Sequence, residues 1–306
     1  MRSYLKLYKS YIRKRVQKVR KEQIENVYDD QPRITAIVQV FNKRKVISKL
    51  IRRLQSLPIA ELIVIDDGSI DGTWKEAFPL LNRKNDFLLR SNDLFEVRMY
   101  DRALTLARGK FAILLQDDDL PPETFEWIEN AIQLFENDEK LLILGGRDGL
   151  TILPPDPINP DSLLKYTVEG NIAGTPGINK YEIIKTLKFR VNKIPFEYVM
   201  AINRAPMWVR REAFLSDGGI DQTYAPFQCD DVDVCLRAWL NGWHVGLYSA
   251  EFSKLDMRGM GLYNSDVFEQ QVAQNWQKIY GRYLSNIIDD NLSSLVDQEN
   301  WKVGFS

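Results

Sequence analysis

Between Ile34 and Gly146 the chain alternates apolar, β-branched runs with amphipathic segments, and this constrains the fold more than any other feature of the sequence. ITAIVQVF (Ile34–Phe41), ELIVI (Glu61–Ile65), DFLLR (Asp86–Arg90), FAILLQ (Phe111–Gln116) and LLILGG (Leu141–Gly146) read as strands. KVISKLIRRLQSL (Lys45–Leu57) is helical up to Pro58, and further helices are expected around Met99–Ala107 and over Glu123–Glu136, behind Pro121 and Pro122. Thr73 and Glu76 have the spacing of a capping box that opens another helix. Strands too apolar to face water on either side need helices on both faces, which predicts an α/β fold with a parallel, doubly wound sheet.

Beyond residue 150 the pattern loosens. Five prolines and several glycines between 150 and 180 indicate a long irregular connection. Helical spacing returns at Tyr181–Leu187, Arg211–Leu215 and Asp231–Asn241, the last with Gly242 at its C-terminal end. Trp243–Leu247 reads as a strand and Asp266–Tyr283 as a closing helix. Trp208, Trp239, Trp243 and Tyr248 sit among apolar neighbours as core residues, with Trp208 also placed to line an acceptor site.

The formal net charge of −1 conceals two unlike parts. Residues 1–21 carry nine Lys and Arg and no acid, which leaves 32 basic against 42 acidic residues in the remainder. Leu5, Tyr8, Ile12, Val16 and Val19 form a narrow apolar stripe on that cationic helix. Such a helix either docks on an anionic membrane surface or partner, or packs its stripe on its own domain. The balanced total excludes a dedicated nucleic-acid binder. One histidine, His244, leaves no His-rich metal site and reads as structural; Cys229 and Cys235 read as core thiols suited to a reducing compartment. No apolar run approaches the roughly 20 residues that span a bilayer, so the expected location is cytoplasmic, peripheral on the inner face of the membrane.

The chemistry therefore falls to carboxylates. In open parallel sheets, ligands bind beyond the carboxyl ends of the strands, and three strands here end at Asn42, at Asp66-Asp67 and at Asp117-Asp118-Asp119. Clustered Asp residues at the end of an apolar strand suit a hard divalent ion, Mg²⁺ or Mn²⁺; the competing reading is a turn ahead of Pro121. A second cluster, Asp230-Asp231-Val232-Asp233, opens a helix. One Asp caps it and a second complements its dipole, while crowding raises the proton affinity of at least one, a property of a general base.

VQVFNKRKVISKLIRRL, ELIVIDDGSIDGT, ARGKFAILLQDDDLPPETFEW and RAPMWVRREAFLSDGGIDQTYAPFQCDDVDVCLRAWLNGW, in that order, resemble the family-2 glycosyltransferases of the GT-A fold over roughly residues 33 to 250. The resemblance implies a GT-A-like nucleotide-binding fold with a mostly parallel central sheet flanked by helices, to which the charge and apolar spacing of residues 1–21 add an N-terminal basic helix. It implies that Asp67, beside Asp66, contacts the nucleotide base, with Gln39 and Phe41 at the base and ribose. Asp117 and Asp119 frame a D-x-D metal motif, with Asp119 the direct ligand and Asp118 at the donor's ribose or sugar. Asp231 matches the catalytic base, with Asp230 as the alternative. Arg98 matches a diphosphate or sugar contact, a role for which Arg90 competes. The chain departs from the pattern at Gln39, where proline is usual, and at Asp101, where asparagine is common. It departs again at Asp256, which stands by eye where a histidine is often found and is an extra candidate metal ligand.

The expected organisation is a basic extension (1–30), a glycosyltransferase domain (31–262, divided into donor and acceptor halves at 148/149) and a C-terminal helical segment (263–306). The resemblance implies single transfer, with inversion, from a nucleoside-diphosphate sugar, a UDP-sugar first among them, to a glycan, lipid-linked or protein hydroxyl. The rival readings are an inactive glycosyltransferase-like scaffold, and a sugar nucleotidyltransferase, which the glycine-free Asn42–Lys45 loop disfavours.

Overall fold

The computed structural model describes residues 33–92, 94–154, 166–169, 187–204, 206–255, 266–289 and 291–304. The basic segment 1–21, most of the 150–180 connection, nearly all of the expected Tyr181–Leu187 helix, and Asp256 lie outside the described residues.

The first half follows the alternation in the sequence. Strand β1 (Ile34–Val40) leads through α1 (Ile47–Gln55) to β2 (Glu61–Asp67), then through α2 (Thr73–Ala77) to β3 (Phe87–Ser91). Helix α3 (Phe95–Leu106) precedes β4 (Phe111–Gln116) and the short β5 (Asp119–Leu120); α4 (Glu126–Asn137) precedes β6 (Leu141–Gly145) and β7 (Gly149–Ile152). All seven residues of β2 and the first five of β4 are buried, as strands covered on both faces must be. In α1, Ile47, Leu50, Ile51 and Leu54 are buried against the sheet, while Arg52 and Arg53 stand in the last turn, where they complement the helix dipole. Each such aliphatic side chain contributes about 1.5–3 kcal/mol by leaving water.

The second half departs from a doubly wound plan. It contributes β8 (Tyr166–Glu169), β9 (Phe189–Val191), β10 (Ile194–Tyr198), β11 (Ala201–Ile202), β12 (Met207–Arg210), α5 (Arg211–Ser216), α6 (Asp230–Leu240), β13 (His244–Tyr248), β14 (Ser253–Lys254), α7 (Asp266–Ile288) and α8 (Asn291–Gly304). The main sheet runs β3-β2-β1-β4-β12-β6-β13-β10-β9. Its β3-β2-β1-β4 half is parallel, but β12 lies antiparallel between β4 and β6, and β10 antiparallel to both β13 and β9. The sheet is therefore mixed, with β12 and β10 running against the other seven strands. Four-residue β12 is too short to show a period of its own and acquires its place from two long buried neighbours.

Other expectations are revised locally. No capping box forms at Thr73: Gly72, at φ 91°, is the N-cap, and the Thr73 hydroxyl and amide both donate to Asp71 (2.6 and 2.9 Å). Glu76 instead faces Arg44 at 3.3 Å. Trp208 is fully buried and donates to the Tyr248 hydroxyl at 3.0 Å, which makes it core and not part of an acceptor site. His244 holds Asp138 at 2.7 Å at the opposite end of β13 from the acidic clusters, and both cysteines are buried. Gly242, at φ 81°, follows α6 as the spacing predicts. At the end of β6, a Cβ on Gly146 would lie 2.5 Å from Pro206 and 2.6 Å from Ala250, so only glycine admits this crossing.

Candidate active site

Register brings the carboxyl ends of the parallel strands level: Gln39 of β1 stands beside Ile65 of β2 and Gln116 of β4, and Asp67 beside Ser91 of β3. The loops that leave β1 and β2 are stitched together. Asn42 donates its amide to the Ser69 hydroxyl (2.9 Å) and accepts from the Ile70 amide (3.0 Å), and Lys43 donates its amide to Thr73 (2.8 Å).

Asp66 and Asp67 lie inside this junction. Asp66 accepts from Arg90 at 3.2 Å, and Arg90 stacks over the Trp74 ring at 4.7 Å. Asp67 is 3% exposed and accepts four hydrogen bonds, from Gln39 Nε2 (3.0 Å), the Ser91 hydroxyl (2.6 Å) and the amides of Leu94 (2.9 Å) and Phe95 (2.8 Å). Four donors fill the acceptor sites of a carboxylate. Gln39, standing where the family usually has proline, takes one of them. Phe41 is 40% exposed at the strand end.

The three carboxylates after β4 have different surroundings. Asp117 accepts from the Phe41 amide at 3.0 Å and pairs with the buried Lys43 ammonium at 3.4 Å; burial nevertheless pushes its carboxyl up to about 7. Asp118 opens into a cavity, and its carbonyl accepts the Leu255 amide at 2.6 Å. Asp119, 1% exposed, pairs in β5 with Lys254 of β14, so the strand that leads to Asp256 is tied to this cluster. Among the described residues no group of three or more His, Cys, Asp or Glu is arranged to hold a metal ion. Mg²⁺ and Mn²⁺ are commonly held by one or two carboxylates plus substrate phosphates, and the oxygen-only Asp118-Asp119 pair has that chemistry.

The second acidic cluster separates in the same way at the start of α6. Asp230 is buried and pairs with the Arg204 guanidinium. Burial, with Asp231 and Glu96 adding to it, pushes the Asp230 carboxyl up against the pull of that arginine. Asp233, fully buried, accepts from Tyr224 (3.0 Å), Arg237 (2.8 Å), Arg282 (3.0 Å) and Tyr283 (2.8 Å), which anchors α7 to α6. Asp231 is half-buried. One of its oxygens accepts the Arg204 amide at 3.2 Å and the other the Val232 amide at 3.0 Å, both main-chain donors that leave its side chain facing the cavity.

That cavity, of about 450 Å³, joins the two clusters: Asp118, Glu96 and Gln116 line it together with Arg204, Asp231 and Trp276. Trp276 comes from α7, which is held by Asn275. The buried Asn275 amide donates to the carbonyls of Tyr224 (2.9 Å), Phe227 (2.8 Å) and Gln228 (2.9 Å). Arg98 is exposed on α3 and does not line the cavity. Glu96, two residues earlier, does line it and was missed by the sequence reading. So was Arg204, whose guanidinium lies over the Tyr100 ring at 4.7 Å. The available signal for Glu96 was its place in the first turn after a strand's carboxyl end.

Residues 35–156 match the family model described as "Glycosyl transferase family 2". No curated protein sequence matches the chain. Among solved structures, GalNAc-T7 with UDP, GalNAc and Mn²⁺ is similar at a TM-score of 0.60 and 12% identity, over 82% of this chain and 48% of that one. Residues 1–349 of S. aureus TarS in complex with UDP-GlcNAc are similar at a TM-score of 0.54 and 16% identity, over 85% of this chain and 73% of that one. The chain spans only 36% of the length of another S. aureus TarS structure and 59% of a further 1–349 form. At these identities the likeness is one of fold. The match to the family model covers 122 of the 306 residues, and together with the shared fold it makes the chain similar to the family-2 glycosyltransferases of the GT-A fold.

Proposed function

We propose that this chain transfers a single sugar from a nucleoside-diphosphate sugar, with a UDP-sugar as the first candidate, to an acceptor hydroxyl with inversion at the anomeric carbon. The observation that carries the reading is the cavity shared by Asp118 and Asp231, in which Asp231 is oriented by two main-chain amides while Asp230 is taken up by Arg204. Asp231 is then the general base. It accepts the acceptor hydroxyl's proton as the oxygen bonds to the anomeric carbon. The bond from that carbon to the diphosphate breaks on the opposite face, and the proton leaves Asp231 for solvent. Asp230, which also lines the cavity, is held in an ion pair and positions Arg204.

Asp118 and Asp119 would hold Mg²⁺ or Mn²⁺, with Asp256 as a further candidate outside the described residues. When bound, such an ion supplies charge neutralisation to a leaving diphosphate. Asp117 holds the Phe41 amide and Lys43, and so fixes the end of β1 against that of β4. The nucleotide base is assigned to the β1–β2 end near Gln39, Phe41 and Asp67. The saturated state of Asp67 favours one other reading, a glycosyltransferase-like scaffold without donor binding.

Among the described residues no helix is long and apolar enough to cross a membrane, and residues 1–21 are assigned to an anionic membrane surface where a lipid-linked or glycan acceptor is presented. The deciding experiment is Asp231→Asn, assayed across UDP-, GDP- and dTDP-sugars with Mn²⁺. Loss of a general base lowers turnover by about 10²–10⁴-fold with donor binding retained. Near-normal turnover would refute the assignment, and absence of any donor binding by the unaltered protein would favour the scaffold.

A further inference from the structure

Two consecutive residues that carry side chains, Gln228 (φ 74°) and Cys229 (φ 66°), occupy the left-handed backbone region immediately before α6. That region is unfavourable for a residue with a Cβ, and it persists only where the surroundings over-determine it. Both residues line the cavity. Cys229 is the N-cap of α6 but makes no side-chain hydrogen bond to it, so the position at which α6 starts depends on what holds this turn.

The holding contacts come from α7. The two N–H bonds of the fully buried Asn275 amide are divided among three carbonyls, those of Tyr224 (2.9 Å), Phe227 (2.8 Å) and Gln228 (2.9 Å), so that one of them is bifurcated. The amide is oriented from its other side, where Asn275 Oδ1 accepts from Gln271 Nε2 (3.1 Å) and Lys278 Nζ (3.2 Å). Packing grips the same turn: the Phe227 ring lies 5.6 Å from Phe95 of α3 and stacks at 5.2 Å on Phe268 of α7. Asp231 is the second residue of α6, and its carboxylate meets the Arg204 amide at 3.2 Å, the upper end of the hydrogen-bonding range. A small displacement of the start of α6 therefore breaks that contact.

We propose that Asn275 is a positioning residue for the general base: by holding the Tyr224–Gln228 carbonyls it fixes the strained turn that sets the place and direction of Asp231. The inference rests on the reading of Asp231 as the base. The helix that sequence alone sets apart as a C-terminal segment thereby supplies part of the catalytic alignment.

The test compares wild type, Asn275→Ala, Asn275→Ser and Tyr283→Phe in the hydrolysis of UDP-, GDP- and dTDP-sugars in Mn²⁺, with water in place of the acceptor. Donor Kd is read by calorimetry, and kcat is normalised to folded protein. Asn275→Ala lowers kcat between about 10- and 100-fold while donor Kd stays within about twofold. Asn275→Ser, which keeps one donor, loses less, and it carries the comparison if Asn275→Ala does not fold. Tyr283→Phe removes a different α7–α6 hydrogen bond, to Asp233 at 2.8 Å, and leaves kcat within about twofold. In an Asp231→Asn background, where no base remains to be positioned, Asn275→Ala lowers the residual rate by less than about threefold. Wild-type kcat in the folded Asn275 variants would overturn the proposal, however far their stability falls. So would a kcat loss matched by an equal loss of donor affinity, reproduced by Tyr283→Phe, or fully additive with Asp231→Asn. Absence of hydrolysis by wild type across the whole panel would instead overturn the transferase reading itself, together with the inference that rests on it.

Discussion

Among the described residues, Arg204 is the one guanidinium that pairs with the second acidic cluster from within the cavity, and its removal has a calculable effect. Its side chain is 3% exposed and that of its partner Asp230 is 2% exposed, so Arg204→Met leaves a carboxylate buried with its counter-ion gone. Breaking a buried pair from one side costs about 3–5 kcal/mol, whereas replacing both partners by apolar groups of similar volume is close to neutral. The pH dependence supplies an independent magnitude. Even beside Arg204, burial pushes Asp230 up to about 7, against about 3.9 for an unfolded aspartate. A folded value raised above the unfolded one stabilises the protein fully below the unfolded value, and that contribution is lost as the pH rises through the folded value. Three pH units correspond to about 4 kcal/mol of pH-dependent stability with the pair intact. Without Arg204 the rise in Asp230 is unopposed and therefore larger. The deficit of Arg204→Met relative to wild type should be small near pH 5, where Asp230 is protonated, and should grow to several kcal/mol at pH 8. Equilibrium urea unfolding at the two pH values, followed by tryptophan fluorescence, measures it. Adding Asp230→Leu to Arg204→Met should recover more than half of the pH 8 loss. A deficit below about 1 kcal/mol at pH 8, or one independent of pH, would refute the view that Asp230 is held by this guanidinium.

Two further outcomes follow from the same geometry and from the chain's charge distribution. Asp119→Ala should weaken Mn²⁺-dependent donor binding in calorimetry by about tenfold or more, and unchanged donor affinity in Mn²⁺ would remove Asp119 from the metal site. Deletion of residues 1–21 should abolish pelleting with phosphatidylserine-containing vesicles while activity on a soluble acceptor persists; unchanged pelleting would return that segment to a packing role.

The alternation from Ile34 to Gly146 was sufficient to place β1 to β4, β6 and the helices between them, because β1, β2, β4 and β6 have apolar, buried centres bounded by strong breakers, and the short, half-buried β3 is framed by its neighbours. It also located the acidic clusters at the strand ends. What each acid touches was not legible. Three consecutive aspartates look alike in sequence, yet Asp117 is bound to Lys43, Asp118 opens to the cavity, and Asp119 is buried against β14. In the same way Asp230, Asp231 and Asp233 divide into an ion pair, a cavity carboxylate and an inter-helix anchor. A helix turn sends successive side chains about 100° apart, so neighbours in sequence face different partners.

The sequence by itself determined the α/β architecture, the family resemblance and the position of the acidic clusters at the strand ends and helix start, since these depend on local periodicity and on residue type. Tertiary structure alone decided the mixed sheet, the saturation of Asp67 by Gln39 and the β3–α3 turn, and the arrival of Glu96, Arg204 and Trp276 at one cavity. These contacts join residues up to about 180 positions apart, and no local pattern encodes a pairing whose energy appears only when both partners leave water together.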